Sequence, residues 1–385
     1  MQKKGRKHYL AVIFALATLG GIIAAHASEM DASALLRASK FSELQDHYSA
    51  VQLKFASGKI SGDELRNEFR VFYPIDKDLA AKYDAWVTAF PKSYVARLAR
   101  GIYYKRVGLD ARGDRYISET SRSQLDRMDS AFTRAANDLG ASIGMDPKPF
   151  LSYFHTMDIG RQYLTNVDIR KVFDGAAALD PKSLGLRIKF MTALEPRWGG
   201  STKAMRAFLE ESKAVHMPVS DMNQLEAMVY DEEGTEYRAA GNWSAAEGAY
   251  RRSLSLGPCP CENVRNDLNN VLFESGQFTA AIALLDQYLR DSPNDLWALA
   301  NRGAAKVAAH RSPEAISDFS LAATAGDSFS QDHLGMLYLN GSVGVAPDYA
   351  KSVFWLRKAA EQGESEAQAN LAHAEALAAK GGEDR

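Results

Sequence analysis

The sequence is poor in cysteine and has no excess of charge of either sign. Only 2 of its 385 residues are cysteine, and 46 Lys and Arg stand against 48 Asp and Glu, a net charge of −2. A nucleic-acid binder needs a basic excess to displace counterions from phosphates, so we expect no DNA or RNA ligand. Glycine (28) and proline (12) are too few for a collagenous or low-complexity chain. The composition is therefore that of a globular protein.

Long apolar runs are lacking after residue 25, and the one run before it is typical of an export signal. A basic start over residues 3–7 precedes the apolar segment Tyr9–Ala25, and small residues stand at positions 25 and 27. We predict a signal peptide over residues 1–27, cleaved after Ala27, and hence a periplasmic or secreted protein without stable membrane insertion. The alternative is an uncleaved inner-membrane anchor, because 17 apolar residues are near the lower limit for a spanning helix.

Recognisable catalytic motifs are also lacking. The sequence has no glycine-rich phosphate loop, no His-Glu-x-x-His and no Ser three residues before a Lys. These motifs supply phosphate cradles, zinc ligands and activated nucleophiles. We therefore predict no cofactor, no hydrolase nucleophile elbow and no enzymatic activity, and we interpret the scattered histidines as surface or packing residues.

The two cysteines lie close together, as Cys259 and Cys261 in a Gly-Pro-Cys-Pro-Cys turn. A zinc site would need two further ligands, and the nearest histidines are 43 and 49 residues away, so we predict no metal site. In an oxidising compartment the pair is a candidate disulfide. Two alternatives remain open, a pair of free thiols and a redox activity.

The residues that are present repeat with a fixed period. Between Met228 and Asp327 three segments align at spacings of 35 and 34 residues. A small residue on a first helix would let a second helix pack closely, and a large residue would fill the space beside it; Asn269 departs from the glycine that is usual at this position. The aligned positions hold Gly234, Asn269 and Gly303; Ala246, Ala281 and Ala315; and Tyr250, Leu285 and Phe319. The spacing predicts stacked helical hairpins.

These segments resemble the tetratricopeptide repeat, most plainly over Pro293–Trp297, Asn301–Gly303 and Pro313–Ile316. Residues 332–372 resemble a related unit, the Sel-1-like repeat, and its expected packing positions are Gly335, Tyr338, Trp355, Ala359 and Gly363. The resemblance implies protein–protein interaction without covalent chemistry.

The N-terminal half has a looser pattern. The ten residues from Pro91 to Gly101 repeat the separation from Pro293 to Gly303, and both end in Arg-Gly, which predicts a divergent hairpin. The features from Phe41 to Gly200 are similar to a bacterial domain-of-unknown-function family, which implies no activity. Lys105 and Arg106, with Arg112 and Arg115, form a modest basic cluster. We interpret it as a solvated loop, with recognition of an acidic partner as the alternative.

We predict an all-α chain: an irregular helical domain over residues 32–226, tetratricopeptide-like repeats over 227–327, and a Sel-1-like repeat with a capping helix over 328–380. Its expected function is that of an exported scaffold for a protein or peptide partner, as an envelope assembly adaptor or an immunity protein. The alternative is an enzyme with its site in the N-terminal domain. Repeat position suggests partner contacts at Glu236, Arg265, Asn269, Asn301 and Lys306. The oligomeric state is left open.

Overall fold

The computed structural model describes residues 31–113, 120–162, 167–261 and 263–383, and these residues are predominantly helical. Their β structure is an isolated bridge between Ser342 and Val345, so the all-α prediction is confirmed. The predicted signal peptide lies outside the described residues. By its internal packing the chain divides into two compact units, residues 1–225 and 226–385. Within the described ranges, no helix combines the length and the apolar character needed to cross a bilayer.

In the first unit, the described residues form ten α-helices and the start of an eleventh. They are α1 (Ala32–Arg37), α2 (Phe41–Ala56), α3 (Gly62–Glu68), α4 (Ala80–Ala89), α5 (Tyr94–Arg112), α6 (Arg122–Ile143), α7 (Phe150–Gln162), α8 (Ile169–Ala177), α9 (Leu184–Ala193), α10 (Thr202–Lys213) and α11 (Val219–Ala239). Short 3₁₀ turns lie at Phe69–Phe72, Lys77–Leu79 and Pro196–Trp198.

The start of α5 and the start of α9 share a capping turn that the chain uses twice, as Pro91–Ser93 and Pro181–Ser183. In each, the serine hydroxyl accepts a hydrogen bond from an amide of the first helical turn, at 3.0 and 3.1 Å. The proline carbonyl accepts a further bond from an arginine six residues on, at 3.3 Å from Arg97 and 3.0 Å from Arg187. The same Pro-Lys-Ser letters therefore build the same local structure at both places.

Helices α5 and α6 pack closely because glycine faces α6. A Cβ added to Gly108 would lie 2.5 Å from the Phe132 ring. Arg100, on the same helix as Gly108, donates from Nε to Asp138 of α6 at 2.6 Å and from Nη1 to Asp84 of α4 at 3.1 Å. One arginine thus ties α5 to the helices on either side of it.

The second unit contains the C-terminal part of α11 and eight further helices. They are α12 (Trp243–Ser255), α13 (Val264–Glu274), α14 (Phe278–Asp291), α15 (Leu296–Ala308), α16 (Ser312–Thr324), α17 (Ser328–Asn340), α18 (Tyr349–Glu361) and α19 (Ser365–Glu383). Successive helices pack against one another from α12 to α19, as hairpin repeats require.

The predicted glycine contacts form in this unit. A Cβ on Gly234 would lie 2.6 Å from the Tyr250 ring, and one on Gly303 would lie 2.8 Å from the Phe319 ring. These distances are shorter than van der Waals contact, so only glycine lets the two helices of each hairpin approach so closely. Gly335 makes the equivalent approach to Leu356, at 2.6 Å.

The other predicted packing positions differ in burial. Tyr338 and Trp355 are partly buried against one apolar cluster, and Gly363 is exposed. Gly363 has φ +92° with no atom near its missing Cβ, so it ends α18 and fills no packing position. Fully buried are Ala246, Ala281, Ala315, Ala359, Tyr250 and Phe319.

Arg302-Gly303 repeats the arrangement of Arg100-Gly101. Arg302 donates from Nε to Asp318 of α16 at 2.9 Å and from Nη1 to Asp286 of α14 at 2.6 Å. In both units the upstream aspartate stands 16 residues before the arginine. The hairpin predicted from the spacing Pro91 to Gly101 therefore has the same ionic contacts as a repeat of the second unit.

Candidate functional site

Two of the predicted partner contacts are buried inside the repeat unit. Asn269 is 2% exposed, and its side-chain amide donates to Asn301 at 3.2 Å. Lys306 is 9% exposed and pairs with the buried Asp318 at 2.7 Å. Because burial commits these side chains to internal contacts, Asn269 and Lys306 do not offer a surface to a partner; Asn301 is half-buried.

The other two predicted contacts are exposed. Glu236 lies on α11, and Arg265 lies on α13 with its guanidinium 5.0 Å from the Tyr288 ring. Exposed aromatic residues stand on the same two helices, Tyr237 on α11 and Phe273 on α13. A surface that combines exposed charge with exposed aromatic rings has the composition of a protein-binding patch.

The two cysteines are joined as a disulfide in the turn between α12 and α13. Cys259 and Cys261 are partly buried against the apolar cluster of the surrounding hairpins. The bond therefore lies in a packed turn of the repeat unit.

The sequence also contains one motif of hydrolases. Gly140-Ala141-Ser142-Ile143-Gly144 has the G-x-S-x-G spacing of a hydrolase nucleophile elbow, a feature that requires a strand-to-helix turn. Here Ser142 is fully buried in α6, and its hydroxyl contacts the Leu139 carbonyl and Ser152 Oγ, both at 2.7 Å. The serine stabilises helix packing and has no access to a substrate.

A concave site lies in the first unit. It is a cleft of about 360 Å³, which we call the basic cleft. Of the residues that the structure describes, six cationic side chains and a single carboxylate, Asp158, line it. The cations are Arg66 of α3, Arg70 of the following 3₁₀ turn, Lys105 and Arg106 of α5, Arg161 of α7 and Lys189 of α9.

The carboxylate holds two of these cations in place. Asp158 accepts hydrogen bonds from Lys105 Nζ, at 2.6 Å, and from Lys189 Nζ. Burial by itself would raise the pKa of Asp158, but the two ammonium groups outweigh it and hold the pKa well below its usual range. Asp158 is therefore ionised, and its negative charge is already paired with Lys105 and Lys189.

Lys189 is the titratable cation of the cleft. Burial lowers its pKa to about 8, in spite of the attraction of Asp158. The other charged groups that act on it are Lys105 of α5 and Arg161 of α7, and both lower the pKa further. At neutral pH Lys189 is therefore mostly protonated, and it loses its proton as the pH rises through about 8.

A buried histidine lies behind Lys105. Burial, followed by the charge of Lys105, lowers the pKa of His155 well below its usual range, so the ring is neutral. Lys105 Nζ is 2.9 Å from His155 Nδ1. Since an ammonium group only donates, Nδ1 accepts and the ring proton stands on Nε2, which has no hydrogen-bond partner among the described residues.

Aromatic rings form the walls of the cleft. Lys105 and Arg106 lie over the Tyr73 ring, at 5.6 and 5.9 Å from its centroid. Lys189 lies 4.2 Å from the Phe154 centroid. Burial raises the pKa of Tyr73 to about 12, so this wall is uncharged. The rings and cations restrict one another through cation–π contacts.

Sequence reasoning located only part of this site. The predicted solvated loop is wrong, because Lys105, Arg106 and Arg112 lie in α5, and Lys105 is buried. Arg115 lies outside the described residues. The remaining cations come from four other elements, and the only local signal is the i, i+4 spacing of Arg66 and Arg70. No cluster of metal-ligating side chains occurs in the parts of the chain that the structure describes.

Comparison with known proteins supports the repeat assignment. Residues 328–364 match the model of the Sel1 repeat family, so the predicted Sel-1-like repeat is confirmed. No match to a curated protein was found.

Three solved structures illustrate the similarity. A protective antigen of uropathogenic Escherichia coli, described as displaying an SLR fold, has 17% identity and a TM-score of 0.43; the match covers 84% of this chain and 66% of that one, a little under two thirds. A Sel1 repeat protein from Oxalobacter formigenes has 15% identity, coverage of 92% and 96%, and a TM-score of 0.39. Yeast Tom70 has 15% identity, coverage of 91% and 75%, and a TM-score of 0.39.

Proposed function

We propose that this chain is an exported scaffold that binds a protein or peptide partner through its helical-repeat unit, residues 226–383. The observation that carries the proposal is the stack of glycine-packed hairpins that ends in a Sel1 repeat. Repeats of this kind present side chains from successive helices on one continuous surface and need no cofactor to do so.

Exposed residues on the first helices of the hairpins are the best candidates for the contact surface. Arg265 and Phe273 of α13, with Glu236 and Tyr237 of α11, combine charge with aromatic area. Arg and Tyr are among the residues that contribute most to binding energy at interfaces. We propose that these four residues form the partner-binding patch.

The predicted signal peptide supports a role outside the cytoplasm. Within that setting an envelope assembly adaptor and an immunity protein that occludes a secreted toxin both fit a repeat scaffold. The identity of the partner distinguishes them, because an adaptor would capture an envelope component and an immunity protein would capture a toxin. An enzyme in the first unit is the alternative, favoured by the buried ionisable groups of the basic cleft.

Affinity isolation with the chain lacking residues 1–27 tests the proposal, followed by measurement of the affinity for the purified partner. We expect Arg265→Glu with Phe273→Asp to weaken binding at least about tenfold, since both are placed in the patch. The matched control is Leu321→Asp, an exposed apolar residue on α16, a second helix. It should leave the affinity unchanged, and all variants should keep the parental melting temperature.

Two outcomes would contradict the proposal. One is a partner that binds the patch variant and the control equally well. The other is that no stoichiometric partner is recovered, in which case an activity housed in the first unit becomes the better hypothesis.

A further inference from the structure

We propose that the basic cleft binds a small molecule through one or more phosphoryl groups. The site lies in the first unit and is independent of the partner-binding patch, so it adds a second ligand to the proposed scaffold.

The charge of the cleft is not balanced from within. Among the described residues of the lining, six cations face one carboxylate, and that carboxylate is occupied by Lys105 and Lys189. A further carboxylate, that of Asp63, is not part of the lining and lies 3.7 Å from the Arg66 guanidinium. Holding like charges together in a partly enclosed space costs free energy unless an anion neutralises them. The lining therefore favours a ligand with at least two negative charges.

The arginines carry donors that the protein does not satisfy. Arg106 Nε is buried and has no hydrogen-bond partner among the described residues. Arg70 is exposed at the mouth of the cleft and has no ion-pair partner in the described part of the chain. A buried donor without an acceptor is uncommon in native proteins and is a reason to expect an external acceptor.

Arginine chemistry favours phosphate over a single carboxylate. Its planar fork binds two oxygens of one group, and phosphate offers three oxygens and up to two charges. Three of the cations project from α5 and α7, two lie at α3 and its following turn, and one lies on α9. Cations from different directions suit a tetrahedral oxyanion better than a planar one.

The size of the cleft limits the ligand. A volume of about 360 Å³ is at the lower end for small-molecule sites and is too small for a folded partner or a duplex. The Tyr73 and Phe154 rings belong to the lining and would face an apolar or aromatic portion of a ligand beside the phosphate. Cation–π contacts with these rings hold several of the cations before any ligand arrives, which reduces the entropy lost on binding.

Calorimetric titration of the chain lacking residues 1–27 with inorganic pyrophosphate tests the inference. The diagnostic variant is Arg70→Gln with Arg106→Gln, which leaves the buried contacts of Asp158 intact. The matched control, Lys54→Gln with Lys92→Gln, removes the same charge from exposed positions outside the cleft. We expect the cleft variant to weaken pyrophosphate binding at least about tenfold and the control to change it less than about twofold.

Further arms identify the chemistry and the source of the phosphate. Citrate, a polycarboxylate, should bind at least about tenfold more weakly than pyrophosphate. Co-sedimentation with phosphatidic acid vesicles that pyrophosphate displaces would identify a lipid as the source of the phosphate. Binding of pyrophosphate without binding of vesicles would identify a soluble ligand, and both outcomes support a phosphoryl site.

If Arg70→Gln with Arg106→Gln loses its cooperative melting transition, Arg70→Gln alone replaces it, because that side chain is exposed. The inference is overturned if pyrophosphate gives no saturable heat, if citrate binds more tightly, or if the control pair loses as much affinity as the cleft variant.

Discussion

Replacement of Gly303 by alanine tests the packing on which the repeat unit depends. The added Cβ would lie 2.8, 2.9 and 3.0 Å from three atoms of the Phe319 ring, and real Cβ contacts are almost never so short. Phe319 is fully buried, so its ring has no free space into which to rotate. Either the ring leaves its preferred rotamer or α15 and α16 move apart.

The expected magnitude follows from two opposed effects. Overpacking of a well-filled core costs about 1–3 kcal/mol, and replacing a helical glycine by alanine stabilises by about 0.5–1 kcal/mol. The steric term is larger, so we expect Gly303→Ala to lower the free energy of unfolding by about 1 kcal/mol or more. Gly303→Trp should cost more still, because its side chain cannot be accommodated by a small shift.

Gly248 of α12 provides a matched control. It is a helical glycine with no atom within 4 Å of a Cβ added to it. Gly248→Ala should therefore be neutral or stabilising by up to about 1 kcal/mol. The two alanine variants should differ by about 2 kcal/mol, measured by urea unfolding and by thermal melting followed by circular dichroism.

A double-mutant cycle separates steric conflict from any general intolerance of the site. In a Phe319→Leu background the ring is gone, so the penalty of Gly303→Ala should shrink by about 1 kcal/mol or more. Equal stability of Gly303→Ala and Gly248→Ala would refute the reasoning, and so would an unchanged penalty in the Phe319→Leu background.

Three further predictions concern charge and processing. Asp318→Ala should cost about 3–5 kcal/mol in urea unfolding, because it leaves the buried Lys306 without its carboxylate and removes one of the two carboxylates that pair with Arg302. Asp286→Ala, whose side chain is 46% exposed, should cost less than about 1 kcal/mol. Equal costs would contradict this. Sulfate keeps its charge between about pH 6.5 and pH 9.5, so its affinity for the basic cleft should fall as pH rises through about 8, where Lys189 loses its proton. This dependence should disappear in Lys189→Met, and a flat profile in the parent chain would argue against Lys189 as an anion ligand. Mass spectrometry of the exported protein should find Ser28 at its N-terminus, and retention of Met1 would favour the anchor.

The hairpins could be predicted because their packing is recorded in single residues at a fixed spacing. A glycine on one helix and a large residue 16 positions later, as at Gly234 with Tyr250 and Gly303 with Phe319, leave a periodic trace in the sequence. The separation from Pro91 to Gly101 extended the pattern upstream to Arg100, and the upstream aspartate stands 16 residues before the arginine in both places. The second aspartate has no common spacing, since it follows Arg100 by 38 residues and Arg302 by 16.

The contact residues were predicted less well because repeat position does not determine burial. Asn269 stands where the other hairpins have glycine, and its side chain is buried beside Asn301. Lys306 points to Asp318 inside the hairpin. A polar residue on a first helix is thus equally compatible with a buried pair and with an exposed contact, and only the three-dimensional packing distinguishes them.

The composition of the sequence could not reveal the basic cleft. Its cations come from four helices and one turn of a chain whose total charge is close to zero. The distinguishing property of the cleft is its excess of positive over negative side chains. In the repeat unit, Arg302 and Lys306 meet two carboxylates, Asp286 and Asp318, so the group is neutral as a whole and needs no external partner. Buried ion groups of that kind stabilise helix packing only when each charge is matched. Among the described residues that line the cleft, six cations meet one carboxylate, and a further carboxylate, Asp63, lies 3.7 Å from Arg66. Packing alone does not favour this excess of positive charge, and an anionic ligand would complete it.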